Sequence, residues 1–211
     1  MSTKTSAGAL SLREEQKQLT RQRIRRAARA LFFRNGYNNV TFEDIAAEAG
    51  IGRATLYLYF SNRSAILIEL INQHLHETLR IYAELTNKPN ISQRVVTAWL
   101  QSYIDEVIEN ASGVNLFHVD GALEEVVRST LVQHRLAVIE LLGTRFTSFN
   151  LGALKGGARR RRYCEADLMI GEIEGVCGAA AHPGFHLDVR IAVNVLSERF
   201  YSLLTLEPQK S

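Results

Sequence analysis

Cysteine is nearly absent from this chain of 211 residues, with Cys164 and Cys177 its only two. They are too few and too poorly placed for a disulfide framework or a metal site, so reduced structural thiols are expected, with no metal and no cofactor. Proline occurs three times, and no stretch alternates apolar and polar residues as a half-buried strand does. With long helical periodicities, these absences point to an all-α fold. No apolar run approaches the roughly 18 to 20 residues that a membrane-spanning helix needs. The opening MSTKTSAGALSL lacks the apolar core of a secretion signal, so no membrane partner and a cytoplasmic location are expected. Catalytic patterns are missing too. There is no metal-spaced cluster of His and Cys, no phosphate-binding glycine loop and no pattern for a nucleophile with its base, so nothing supports an enzyme.

What is present is an ordinary globular composition, 46% hydrophobic and 22% charged, with an uneven distribution of charge. The formal net charge is +3, yet residues 1 to 80 alone carry +5 and residues 81 to 211 carry −2. Most of the excess lies in Arg13, Lys17, Arg21, Arg23, Arg25, Arg26, Arg29 and Arg34. Such a run is ordinarily a solvated helix face. Beside a DNA-reading motif it supplies salt-dependent attraction for phosphates.

That motif is TFEDIAAEAGIGRATLYLYF, residues 41 to 60. Thr41 is placed to cap a first helix reaching about Ala49, with Asp44 as a weaker form of the capping-box acid. Gly50 supplies a turn where a left-handed backbone would penalise a side chain. Ala46 lets a second helix cross closely, Ile45 and Ala49 face the core, Ile51 plugs the turn and Leu56 anchors the second helix. The outward residues Arg53, Thr55, Tyr57 and Tyr59 are all hydrogen-bonding types, which a buried helix pair would not need. This is the packing of a helix-turn-helix, whose second helix enters the major groove.

Along the chain, residues 1 to 14 read as a disordered arm and a helix is expected over about 15 to 34, stopped by Asn35 and Gly36. The helix-turn-helix completes a DNA-binding domain over 15 to 68. Ser61 is the expected cap of a fourth helix, and the boundary to a helical domain over 69 to 211 falls inside that helix. Within the second domain, helices are expected over about 91 to 110, 124 to 149, 164 to 181 and 187 to 206, with a short one over 114 to 122. The stretch NLGALKGGARRRR is expected to be a loop.

The amino-terminal segment resembles the TetR family of bacterial transcriptional regulators. The matching residues are Asn35, Gly36, Tyr37, Thr41, Ile45, Ala46, Ala49, Gly50, Leu56, Tyr57, Phe60 and Arg63, within roughly residues 20 to 70. The remainder matches only in length and helical character. The resemblance implies a homodimer that places one helix of each subunit in the major groove of a double-stranded, pseudo-palindromic DNA operator. It also implies a small-molecule effector in the second domain that releases a repressor from DNA. Arg63 stands where lysine is usual, which keeps the charge and changes its geometry; position 59 is Tyr where His or Tyr is common.

Roles can be assigned on that basis. Thr41 and Thr55 are expected to bond phosphates, and Asn62 and Arg63 to form a phosphate clamp at the start of the fourth helix. Arg53 is the expected base reader, reaching guanine O6 and N7 with two bonds, and Ala54 is placed against a thymine methyl. Tyr59 keeps a hydroxyl for phosphate. Tyr57 is either a DNA contact or half-buried, and Phe42 and Glu43 are either DNA contacts or ordinary first-turn residues.

In the second domain, Trp99, Tyr103, Phe117, His118, His134, Phe146 and Phe149 are candidates for lining an apolar cavity with a few polar groups, although residues of these types are more often plain core. Gly171, Gly175 and Gly178 share a helix face, and each costs about 1 kcal/mol relative to alanine unless close backbone approach repays it. With Ile170, Ile173, Ile191, Val195 and Phe200 they suggest a four-helix dimer seam, the alternative being tight packing inside one subunit. Arg159 to Arg162 read as a solvated run. A DNA-organising protein without an effector is the competing function.

Overall fold

A computed structural model describes residues 11 to 109, 122 to 180 and 187 to 207. Among them every regular element is helical and none is a strand. The chain divides into two units, Met1–Leu70 and Ile71–Ser211.

In the first unit, α1 (Leu12–Asn35) starts earlier than the sequence suggests, because Ser11 caps it by accepting from the Glu14 amide at 3.3 Å. Leu12, Arg13 and Glu14 are therefore helical, while residues 1 to 10 lie outside the described set. Ile24, Ala27, Ala28, Leu31 and Phe32 form its buried stripe, the helical spacing read from the sequence. Gly36 ends it with φ +77°, its amide donating to Phe32 O. A short 3₁₀ turn, Tyr37–Asn39, leads to α2 (Phe42–Glu48), α3 (Arg53–Tyr57) and α4 (Arg63–Thr86). Leu56 is fully buried, so Leu56→Ala would remove the anchor of α3 at a cost of about 2 to 5 kcal/mol.

The unit boundary falls inside α4. The second unit contains the rest of α4, α5 (Gln93–Glu109), α6 (Ala122–Gly143), α7 (Gly156–Ala180) and α8 (Val189–Leu204). Their common core runs from Ile81 and Tyr82 through Trp99, Leu100 and Ile104 to Ile170, Ile173 and Phe200. Aromatic rings join it: Trp99 lies 5.1 Å from Tyr82, 5.9 Å from Tyr103 and 5.7 Å from Phe200 between centroids.

Two helix boundaries differ from expectation. α6 stops at Gly143 instead of running to Phe149, and 3₁₀ turns cover Thr147–Phe149 and Leu151–Ala153. The chain folds back so tightly there that a side chain at Gly143 would put its Cβ 2.8 Å from Phe149 O. Conversely, α7 begins at Gly156, so Arg159 to Arg162 are helical and not a loop. Arginine is a good helix former, and Arg161 gains Glu165 as an i,i+4 partner at 2.9 Å. The stretch expected to be a short helix over 114 to 122 lies almost wholly outside the described residues, with Ala122 already in α6. No helix among the described residues is long and apolar enough to cross a membrane.

Candidate nucleic-acid interface and interior polar cluster

The turn between α2 and α3 is built by backbone bonds before any side chain reaches outward. Gly50 has φ +63°, its amide donates to Ala47 O and the Ile51 amide donates to Ala46 O, the paired bonds of a Schellman ending. Arg23 of α1 donates to the carbonyls of Ala49 and Gly50 at 2.7 and 3.3 Å, closing the end of α2 with a cation. At the other end Thr41 and Asp44 form a full capping box, with Thr41 N to Asp44 Oδ2 at 2.8 Å and Asp44 N to Thr41 Oγ1 at 3.1 Å. The side-chain bond from Thr41 holds the Asp44 carboxyl below the usual range. Thr41, expected on a phosphate, accepts the Asp44 amide of α2 with its hydroxyl oxygen.

On α3 the outward face is a small polar cluster. Arg53 pairs with Glu43 at 2.9 Å, donates to the Tyr57 hydroxyl at 3.4 Å and lies 5.7 Å from the centre of that ring. Tyr57 in turn packs on Phe42, ring centroids 4.9 Å apart. Phe42 is buried, and its ring supports Tyr57 from below. Arg53, Glu43, Ala54 and Tyr57 are exposed, while Thr55 and Tyr59 are half-buried. Solvent screens an ion pair this exposed, so the Arg53 guanidinium is free to exchange Glu43 for another acceptor. Sequence reasoning missed Leu58. It is 79% exposed between Tyr57 and Tyr59, and a leucine inside an otherwise hydrogen-bonding face was the available signal.

The start of α4 departs from expectation in two ways. Asn62, not Ser61, caps it, its Oδ1 accepting from the Ala65 amide at 2.9 Å. Arg63 turns inward. Its guanidinium donates to the carbonyls of Tyr37 and Val40 and rests 4.1 Å from the centre of the Tyr37 ring, so it fastens the connector between α1 and α2. The Tyr37 hydroxyl meets Ser64 Oγ at 2.9 Å and adds to the same fastening. Without DNA, Asn62 thus acts as a cap and Arg63 as a brace.

The basic run of α1 is similarly divided. Arg21 binds Glu69 of α4 through Nε at 2.9 and 3.1 Å and again through Nη2, while Arg25 reaches the same carboxylate at 3.2 Å. Arg21 also donates to Tyr59 O at 3.3 Å and sits 4.4 Å from the centre of the Phe60 ring. Bonding from Arg21 holds the Glu69 carboxyl low. Arg34 pairs with Glu48 at 2.9 Å. Arg13, Lys17 and Arg26 make no ion pair among the described residues, and Arg13 and Lys17 line a cleft of about 590 Å³ with Leu58 and Tyr59.

In the second unit, Trp99, Tyr103, His134, Phe146 and Phe149 are all buried, whereas Phe117 and His118 lie outside the described residues. Trp99 donates to Ile81 O at 2.9 Å. His134 has no partner for either ring nitrogen, nor Tyr82 for its hydroxyl, among the described residues. Burial, reinforced by His74 and Arg135, lowers the pKa of His134 to about 4.

The proposed dimer residues separate. Ile170, Ile173 and Phe200 are fully buried in their own subunit, so they are core and not seam. Gly171 and Gly178 are half-buried, and a Cβ at Gly171 would meet the Arg135 guanidinium at 3.3 Å, an intrasubunit contact. Gly175 is exposed with nothing within 4 Å of a Cβ, and Ile191 and Val195 are 62% and 48% exposed. Leu168, 65% exposed, is the residue that the sequence reading overlooked on this face. Arg199 and Glu172, at 2.7 Å, tie α8 to α7 between these residues.

Residues 24–70 match the family model of the bacterial regulatory proteins of the tetR family. The HTH-type regulator YfiR of Bacillus subtilis is 31% identical over 101 residues, 48% of this chain and 47% of that protein. TtgR of Pseudomonas putida is 38% identical over 65 residues, 31% of this chain and 30% of TtgR. The chain thus spans at most about half the length of the curated relatives it matches first. Among solved structures, FadR of Bacillus subtilis in complex with stearoyl-CoA aligns with TM-score 0.63 at 18% identity, over 87% of this chain and 97% of its own. The SmeT–triclosan complex aligns with TM-score 0.62 at 21% identity, over 85% and 90%. At those identities the likeness is one of fold, and it extends through the second unit. Residues 24–70 thus carry the amino-terminal helix-turn-helix domain of the bacterial regulatory proteins of the tetR family.

Proposed function

We propose that the chain is a sequence-specific transcriptional repressor that binds its operator as a homodimer and is released by a small molecule held in the second unit. The exposed cluster of Arg53 and Tyr57 on α3 carries the DNA reading, supported by a face that a merely structural helix pair would bury. Arg53 reads a base, Ala54 and Leu58 make apolar contacts with thymine methyls or sugars, and Tyr59, Thr55, Arg13 and Lys17 meet phosphates. Leu168, on the same face of α7 as Gly175, and Ile191 and Val195 of α8 are large apolar side chains left exposed, which favours a second copy of the subunit. Two fold relatives solved with small molecules, SmeT with triclosan and FadR with stearoyl-CoA, support an effector for the buried interior.

The deciding experiment is selection of DNA by the purified protein from random sequence, followed by titration of the selected site and a scrambled control at physiological salt. A pseudo-palindromic site bound at least about a thousandfold tighter than the control is the expected result. Equal affinity for both would remove specific regulation and favour a DNA-organising role.

A further inference from the structure

The α4 residues His74, Thr78 and Tyr82 recur every four positions and therefore share one helix face, spanning about 12 Å at the α-helical rise. The face is lined with polar atoms where apolar ones would pack more cheaply. Thr78 and Tyr82 are 3% and 0% exposed, and the Thr78 hydroxyl donates to the His74 carbonyl at 2.9 Å. Tyr82 lies within electrostatic reach of Glu174 and Cys177 of α7, and His134 of α6, 5% exposed, within reach of His74. Three polar atoms in this interior have no partner among the described residues: the Tyr82 hydroxyl and both ring nitrogens of His134. Each unpaired buried group of this kind costs about 1 to 3 kcal/mol, so a fold that keeps two such side chains has a reason outside its own packing.

The charges in the same interior are already matched. Arg135 gives Nε and Nη2 to Glu174 at 2.9 and 2.7 Å and approaches Asp167 at 3.7 Å. Among the described residues, an anion entering beside Arg135 would find that cation already paired, and a cation would find the Glu174 carboxylate taken. His134, its pKa near 4, stays neutral at physiological pH and offers one N–H donor and one lone pair. A neutral imidazole and a phenol each complement a group that both donates and accepts. The surrounding rings of Trp99 and Tyr103 supply the apolar wall.

We infer that the effector of this chain is an uncharged, largely apolar molecule bearing a hydroxyl group, a phenol or an alcohol, gripped by Tyr82 and His134 inside the second unit. This rests on the reading of the second unit as an effector domain and specifies what that domain accepts. Charged congeners of the same shape are rejected because they would carry an unmatched charge into a dry interior.

Trp99 is the sole tryptophan of the chain and lies against Tyr82, so its fluorescence reports occupancy. The full-length protein is titrated with 4-propylphenol, 4-propylbenzoate and 4-propylbenzylammonium at neutral pH. Saturable quenching by the phenol is expected, with both ions at least about tenfold weaker. Tyr82→Phe removes an unpartnered hydroxyl, so it keeps or raises the thermal midpoint while weakening the phenol about tenfold; His134→Leu does the same. The inference is overturned if the phenol does not saturate, if either ion binds within threefold of it, or if neither variant weakens it. Affinity for the selected operator, measured without any probe, separates the two readings. Loss of operator binding would remove the regulator, whereas operator binding without phenol binding would remove only the ligand class assigned to Tyr82 and His134.

Discussion

Replacing Glu69 with glutamine tests how the reading head is held. Glu69 accepts from Arg21 and Arg25 of α1, and Arg21 also holds Tyr59 O and lies over Phe60, so one carboxylate orders the segment that follows α3. The side chains of Glu69, Arg21 and Arg25 are 24%, 39% and 26% exposed. Breaking a buried pair costs about 3 to 5 kcal/mol and an exposed pair less than about 1, and solvent at Arg21 brings this network down to roughly 1 to 2 kcal/mol. In a unit of this size that lowers the thermal midpoint by roughly 5 to 10 °C. The pH dependence has a definite sign. The folded pKa of Glu69 lies below its unfolded value, so its contribution is present above the usual carboxylate range and is lost as pH falls through the folded value. Thermal unfolding of Glu69→Gln and wild type, followed by circular dichroism from pH 7 to pH 3, should show a gap that closes with acid. Operator affinity should fall with the midpoint at pH 7. A variant that melts with wild type at pH 7, or a gap that persists in acid, would refute the latch. So would an equal further loss when Glu69→Gln is placed on an Arg21→Ala, Arg25→Ala background, where the partners are already gone.

Arg53→Ala should cost about 1 to 3 kcal/mol on the selected operator and relax choice at one base pair, read by titrating single-base operator variants; equal losses on every sequence would sink the base-reading role. Arg63→Ala should destabilise the first unit by about 1 to 3 kcal/mol, through the carbonyls of Tyr37 and Val40, while leaving the salt slope of DNA binding unchanged. His134 titrates at about 4 when folded and near 6.5 when unfolded, so folding stability should rise with pH across that window by up to roughly 3 kcal/mol. The His134→Leu variant should flatten the slope of denaturant midpoint against pH there. Val195→Glu, on the exposed face of α8, should convert the dimer to monomers in sedimentation and weaken operator binding at least about a hundredfold, whereas a dimer of unchanged mass would place the seam elsewhere.

The parts of the fold that local chemistry decides were legible in the sequence. Thr41, Ala46, Gly50 and Leu56 carry cap, crossing, turn and anchor in residue types that admit few other uses, and the backbone bonds at Ala46 and Ala47 follow from them. What was not legible depends on partners distant in sequence. The end of α6 at Gly143 is set by Phe149 O folding back against it, and nothing in the helical spacing of Val138 and Leu142 announces that contact. The glycines of α7 were read as one face, yet Gly171 faces Arg135 and Gly175 faces open space. Periodicity gives a face and not its neighbour, so core residues such as Ile170, Ile173 and Phe200 cannot be told from seam residues until burial separates them from Ile191 and Val195.

The arginines carry this point furthest. Charge counting treats every arginine of the first unit as a phosphate seeker, but a guanidinium is a planar fork with five donors and also suits bundles of outgoing carbonyls. The fold uses it so three times: Arg23 on Ala49 and Gly50, Arg63 on Tyr37 and Val40, and, within the second unit, Arg145 on Thr86 and Lys88. In each case the fork gathers the carbonyls at which a helix or turn ends, where a cation also complements the local dipole. Position 63 explains itself on these terms. The ammonium of the lysine usual there is a compact point charge that cannot lie flat on the Tyr37 ring while reaching carbonyls on both sides of the connector. Keeping the positive sign while changing its shape commits Arg63 to the scaffold, whereas Arg13, Lys17 and Arg26 are claimed by no carboxylate of the described residues.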